Sequence, residues 1–215
     1  MEFFNCHTHQ FKNQPHILEL VNQYPQEFDA SIPFYSVGIH PWYIKEDQID
    51  ADLKIIEEKL QTKNCLAIGE CGFDKRIEIP FEQQIIVFEK QLALAEKYKK
   101  PVIIHCVAAF QEITEIRKKL KISVPMIIHG FAKNGQLANQ LISAGFYLSF
   151  GKYLLRNPAL KTVFQSIPND RFFLETDTIE EGIEQVYHLA SEYKNITVIE
   201  LQDVISSNYK TVFEK

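Results

Sequence analysis

Seven residues able to bind a metal ion or move a proton stand at or just past the ends of short apolar runs in the chain. His7 and His9 close the stretch Glu2-Phe3-Phe4-Asn5-Cys6-His7-Thr8-His9. His40 follows Val37-Gly38-Ile39, Glu70 follows Ala67-Ile68-Gly69, His105 follows Val102-Ile103-Ile104, His129 follows Met126-Ile127-Ile128, and Asp177 follows the run 172–176. Side chains of an extended chain alternate between faces, so His7 and His9 point the same way as Asn5, while Cys6 and Thr8 turn aside. A helical metal site favours histidines four apart, so this spacing selects a strand. One His-x-His pair is as much at home in a core or on a surface as in a metal site; the recurrence at run after run is what points to chemistry.

Imidazoles and carboxylates suit zinc and related divalent ions without any thiolate. His7, His9, Glu70, His105, His129 and Asp177 suffice for two ions if one carboxylate bridges. Two ions about 3.5 to 4 Å apart activate a water and brace both the attacking and the leaving oxygen of a displacement at phosphorus. The two carboxylates offset only part of the charge of two divalent cations, and the surplus favours an anionic substrate.

Such residues converge only if the runs are parallel strands of a closed barrel, where catalytic groups gather at the C-terminal strand ends. The expected strands are 3–7, 17–21, 34–38, 66–69, 102–105, 126–129, 146–149 and 172–175, several of them continuously apolar, as strands covered on both faces should be. Helical spacing of apolar residues predicts helices over 51–63, 80–98, 111–120, 135–144, 158–167 and 180–193. Pro158 is expected in the first turn of its helix. A final helix over 201–213 is preceded by a capping box of Thr197 and Glu200. The segments 10–16 and 22–33 leave no room for full helical crossovers, so the first quarter of the barrel is expected to be abbreviated. No repeat or linker divides the chain, and residues 1–215 read as one domain.

Length and composition agree with a single α/β barrel: 215 residues, 46% apolar and 24% charged. The net charge of −5 argues against a broad basic surface for nucleic acid but allows a phosphate held locally by metal ions. Cys6, Cys65, Cys71 and Cys106 form no Cys-x-x-Cys pair and are expected to act as small buried hydrophobes. No run is long enough to span a bilayer and no secretory leader is visible, so a cytoplasmic location without membrane association is expected.

The blocks Asn5-Cys6-His7-Thr8-His9, Val37-Gly38-Ile39-His40-Pro41, Ile68-Gly69-Glu70-Cys71-Gly72-Phe73-Asp74, Pro101 to Cys106, Ile128-His129-Gly130-Phe131 and Leu174-Glu175-Thr176-Asp177 occur in an order that resembles the TatD family of metal-dependent hydrolases. The segment 84–95, and Asn208 with Phe213, also look like that family, so the resemblance covers nearly the whole chain. It implies a distorted TIM-type (β/α)8 barrel, one or two divalent ions (zinc, manganese or magnesium), and deoxyribonuclease activity on phosphodiester bonds of DNA or of a smaller phosphoester. Carried over residue by residue, His7, His9 and Asp177 hold one ion, His105 and His129 the other, and Glu70 is shared. Asp177 doubles as the general base. His40 faces the substrate or supports a ligand, and Glu175 supports a ligand from the same strand face.

The departures are equally specific. Asn5 stands where the family has aspartate, Trp42 where a second histidine is common after His40-Pro41, and Val107 where an arginine often follows the His105-Cys106 pair. After Asp177 the usual substrate loop is missing, and Thr178-Ile179-Glu180 runs directly toward a helix. Lys75, Arg76, Lys133, Lys152 and Arg156 are the basic residues placed to replace lost phosphate contacts, Lys133 nearest a ligand block. The expected activity is a metal-dependent phosphodiesterase or deoxyribonuclease. A related amidohydrolase or lactonase acting on a small carbonyl substrate stays open, as does a metal-binding barrel with little turnover.

Overall fold

The computed structural model describes residues 3–214, so Glu2, at the head of the first run, lies outside the described residues. Eight strands follow one another in chain order in a single sheet: β1 (Phe3–Thr8), β2 (Ile17–Gln23), β3 (Tyr35–Val37), β4 (Cys65–Asp74), β5 (Val102–Val107), β6 (Met126–Ile128), β7 (Tyr147–Phe150) and β8 (Phe172–Leu174). The pairs β1–β2, β3–β4, β4–β5 and β7–β8 are parallel. A further parallel bridge, Thr8 to Asp177, joins the end of β1 to the chain leaving β8. This is the topology of a parallel (β/α)8 barrel.

The helices are α1 (Ile49–Leu60), α2 (Phe81–Tyr98), α3 (Phe110–Leu120), α4 (Gly135–Ser143), α5 (Lys152–Arg156), α6 (Leu160–Ser166), α7 (Ile183–Lys194) and α8 (Val198–Phe213). No helix joins β1 to β2, and only a short 3-10 turn over Pro25–Glu27 lies between β2 and β3, so the first crossovers are abbreviated as expected. The capping box of Thr197 and Glu200 starts α8, with both reciprocal hydrogen bonds formed.

Several boundaries differ from the sequence reading. Pro158 lies ahead of α6, whose N-cap is Ala159, and the short α5 was not expected. The chain does not enter α7 at Glu180 but only at Ile183, after the N-cap Gly182. Strand β4 continues past Gly69 to Asp74, which places Glu70 inside a strand rather than at its end. The extension runs through Gly69 and Gly72, at φ of 135° and 136°. A Cβ at either would lie 2.5 Å from the Ile103 carbonyl oxygen or 2.2 Å from that of His105, so only glycine lets β4 approach β5 this closely.

The contacts divide the chain into two compact units, one running to Val21 and resuming at Ile128, the other spanning Asn22–Ile127. The first is packed by aromatic rings: Phe4 of β1 meets Phe173, Tyr209 and Phe213 edge-on, and Phe164 bridges Phe150 and Phe172. Polar groups tie helices to strands here. The buried Tyr187 hydroxyl both accepts from the Phe4 N–H and donates to the Phe4 carbonyl, and Asn208 donates to the carbonyls of Asn169 and Phe172. In the second unit Phe73 packs on Phe81 and Phe88 of α2. Cys6, Cys65 and Cys71 are buried as expected, and burial pushes the Cys65 thiol up to about 12; Cys106 is only partly covered. Among the described residues no helix is long and apolar enough to cross a membrane.

Candidate metal centre

In the first unit, β1 delivers His7 into the interior and His9 follows at a more open position. The segment after β8 is stitched to them through the backbone: the Asp177 N–H donates to the His7 carbonyl at 2.9 Å, and the His9 N–H donates to the Asp177 carbonyl at 3.0 Å. Asp177 itself sits at φ 56°, an uncommon conformation for a residue with a side chain. Its Oδ1 lies 3.6 Å from His9 Nε2 and 3.9 Å from His7 Nε2. The rings of His7 and His129 are 4.5 Å apart between centroids, and one ligand atom from each of His7, His129 and Asp177 falls within 4.8 Å of the others.

Glu175 stands behind His129. Its Oε1 accepts the Gly130 N–H at 2.8 Å and lies 3.6 Å from His129 Nδ1. Burial pushes the Glu175 carboxyl up, but hydrogen bonding and charge from His129, with His7 and Ser149 behind, outweigh it and hold the group below its ordinary value. A carboxylate so placed fixes the orientation of an imidazole. Asn5, two residues before His7 on β1, pairs with Thr176 through both side-chain and backbone atoms.

In the second unit Glu70 is the hub. Its Oε1 lies 2.7 Å from His105 Nδ1 and 3.2 Å from His40 Nε2, and the three residues form a second group with ligand atoms within 4.8 Å. Its backbone N–H donates to Asn22 Oδ1 at 2.6 Å. His40 caps the 3-10 turn Pro41–Tyr43, accepting the Trp42 N–H on Nδ1 at 3.1 Å. In neutral His40 the proton therefore sits on Nε2, facing Glu70.

Asp74, at the end of β4, completes this arrangement. Its Oδ2 accepts from the Trp42 indole Nε1 at 2.8 Å and lies 3.6 Å from His105 Nε2, while Oδ1 accepts the Arg76 N–H. Burial raises the Asp74 carboxyl, but Trp42, the Arg76 amide and His105 hold it below its ordinary value. Helix α2 fixes both neighbours with buried glutamines. Gln84 bonds the Asp74 N–H and carbonyl, and Gln91 bonds the N–H and carbonyl of Ile39 just before His40.

Asn22, Asp74, Gln84 and Gln91 were not among the residues selected from sequence. The two glutamines lie in the segment 84–95 that resembles the family, and they left one further signal: polar side chains seven apart on the apolar face of a helix. Of the five cations expected in loops, Lys152 and Arg156 instead begin and end the short helix α5; Lys75 pairs with Glu112, Arg156 pairs with Glu181, and Arg76 follows β4 with its N–H on Asp74. Lys133 is exposed ahead of the Asn134 N-cap of α4, and Lys152 lies 5.9 Å from the Tyr153 ring.

The donor chemistry suits a divalent ion. Each unit offers two imidazoles and one carboxylate at close range, and other carboxylates orient the rings.

The sequence profile described as TatD related DNase matches residues 1–214. An uncharacterized metal-dependent hydrolase of Bacillus subtilis, YabD, is 29% identical over 91% of this chain and 81% of its own length. A protein of Erwinia tasmaniensis named 3'-5' ssDNA/RNA exonuclease TatD is 32% identical, over 66% of this chain and 56% of its own length. Among solved structures, the TatD homolog YjjV of Escherichia coli aligns over 100% of this chain and 98% of its own, with a TM-score of 0.85 at 20% identity; that likeness shows the fold.

Proposed function

The chain belongs to the family of TatD-related DNases, and from that membership we propose that it is a divalent-metal-dependent phosphodiesterase acting on single-stranded DNA or a smaller phosphoester. The observation that carries this reading is the pair of imidazole and carboxylate groups, His7, His129 and Asp177 in one unit and His40, Glu70 and His105 in the other.

Within the first unit His7, His9, His129 and Asp177 are the residues that would hold an ion, and within the second Glu70 and His105. A bound divalent ion supplies Lewis acidity toward a phosphoryl oxygen and lowers the pKa of water, with zinc, manganese and magnesium all compatible with nitrogen and oxygen donors. Asp177, with 23% of its side chain exposed, is the open carboxylate of its cluster and is assigned to orient the attacking water and take its proton. Glu175 holds His129 through Nδ1, which leaves Nε2 as the ligating nitrogen. His40, with Nδ1 occupied by the Trp42 N–H, directs Nε2 at Glu70 and orients that carboxylate.

A second reading, hydrolysis of a small lactone or amide, is favoured by two features. Val107 ends β5 where a phosphate-binding arginine is common in the family, and only residues 178–182 separate Asp177 from α7. A parallel screen separates the two readings. Metal-loaded protein should cleave single-stranded oligonucleotides or simple phosphodiesters and leave lactones and amides intact. The reverse pattern would replace the proposed reaction.

A further inference from the structure

Trp42 is the chain's single tryptophan, and it stands next to Tyr43 on the turn that begins at His40. Both are open to solvent, Trp42 at 53% and Tyr43 at 52%. Two adjacent large aromatic rings left half in water are unusual unless something covers them. The indole is nevertheless fixed. Its Nε1–H is spent on the buried Asp74, whose other oxygen and backbone are held by the Arg76 N–H and by Gln84. Its ring meets His40 and His105 edge-on, at 5.0 and 5.7 Å between centroids. The polar edge is thus satisfied and the apolar face presented, beside the His40, Glu70 and His105 cluster.

The surface continues through Tyr43, whose ring meets Tyr24 at 5.1 Å, into a cavity of about 240 Å³ lined by Tyr24, Ile39, Gln48 and Asp52 among others. Its charged lining residues are Glu27 and Asp52 against Lys45 alone, so it repels rather than binds phosphate. A neutral ring system that offers hydrogen-bond donors fits it. We propose that Trp42 and Tyr43 form a platform on which an unpaired nucleobase stacks, with the attached phosphate directed to the candidate metal cluster. Trp42 is the specificity-determining residue of this platform and Asp74 its positioning residue. The inference rests on the reading of the protein as a phosphodiesterase. It deepens that reading by selecting single-stranded nucleic acid over a phosphoester without a base, because every base offers a face to stack on and a duplex hides it.

Because the chain has one tryptophan, its emission reports on this platform alone. The test is a fluorescence titration of the full chain in magnesium with phosphorothioate-linked penta-deoxyadenylate, compared with an abasic backbone of the same length and charge. The expected result is saturable quenching by penta-deoxyadenylate and binding weaker by about tenfold or more for the abasic strand. Trp42→Leu should weaken binding of 5′-fluorescein-labelled penta-deoxyadenylate by a similar factor, read by anisotropy, with metal content unchanged and the fold native by circular dichroism, while the thermal midpoint falls because Asp74 Oδ2 loses its donor. Equal affinity for the two strands overturns the platform, as does binding without a change in emission or no binding of either strand at millimolar concentration. Cleavage of unmodified oligonucleotide without quenching sinks the platform and leaves the proposed reaction standing, whereas quenching without cleavage in any metal does the opposite.

Discussion

Asn5 and Thr176 hold each other reciprocally: Asn5 Nδ2 donates to Thr176 Oγ1 at 2.8 Å, and the Thr176 N–H donates to Asn5 Oδ1 at 3.0 Å. Both side chains are buried, and Thr176 lies between Glu175 and Asp177, so the pair locks the segment carrying Asp177 against β1. Asn5→Ala removes both bonds and leaves Thr176 unsatisfied, for an expected loss of about 2 kcal/mol. Asn5→Asp, the residue the family uses, can still accept from the Thr176 N–H and from its hydroxyl, so stability should change by less than about 1 kcal/mol. It also places a negative charge two residues from His7, and metal affinity should rise. Thermal unfolding and metal titration of the two variants check this; equal loss of stability in both would contradict it.

If the two candidate clusters hold metal, single truncations in either unit deplete it. His7→Ala and His105→Ala should each lose bound manganese or zinc on dialysis, measured by elemental analysis, while circular dichroism stays native. Full occupancy in both variants would mean that other residues bind the ion.

Asp74 pins the Trp42 indole by a 2.8 Å hydrogen bond. Asp74→Ala should free the ring, so that steady-state anisotropy of the single tryptophan falls and acrylamide quenches it more strongly. Unchanged anisotropy would show that the histidine contacts alone fix the ring.

Lys194, half-buried between Phe164 and Phe172, donates to the carbonyls of Gln165 and Ile167, and burial pushes its ammonium down from 10.5 to about 8. A depressed lysine pKa means that the native state binds fewer protons than the unfolded chain between about pH 8 and 10.5. The penalty is complete below that window and is lifted as pH rises through it. Relative to Lys194→Met, the wild-type protein should therefore gain stability from pH 7 to pH 10, read from chemical denaturation at each pH. A pH-independent difference would contradict this.

Most strands were legible because a buried parallel strand leaves a continuous apolar run, and His129 follows its run directly past the end of β6; His105 follows its run too, but β5 continues to Val107 and places it inside the strand. Even Ile17–Gln23, which has no helical crossover on either side, was marked by its apolar residues. Glu70 was legible as a residue type but not as a mid-strand position. Gly69 and Gly72 depress strand propensity, and the close approach to β5 that requires them is a property of the folded pair. Asp74 and Asn22 were hidden for a related reason: each acts through a partner distant in sequence, Trp42 in one case and the Glu70 amide in the other. The buried glutamines of α2 sit on a face that periodicity assigns to apolar packing, and only the unpaired strand-end backbone they satisfy explains them.

The proposed reaction is metal-dependent cleavage of a phosphodiester with Asp177 as the base. The most direct measurement is cleavage of an end-labelled single-stranded oligonucleotide by wild-type and Asp177→Asn protein, each with manganese, magnesium or zinc and after chelation. Wild type should cleave only with metal, and Asp177→Asn should lose at least about a hundredfold in rate at an unchanged thermal midpoint. Cleavage that survives chelation or the substitution, or no cleavage in any of the three metals, would contradict it.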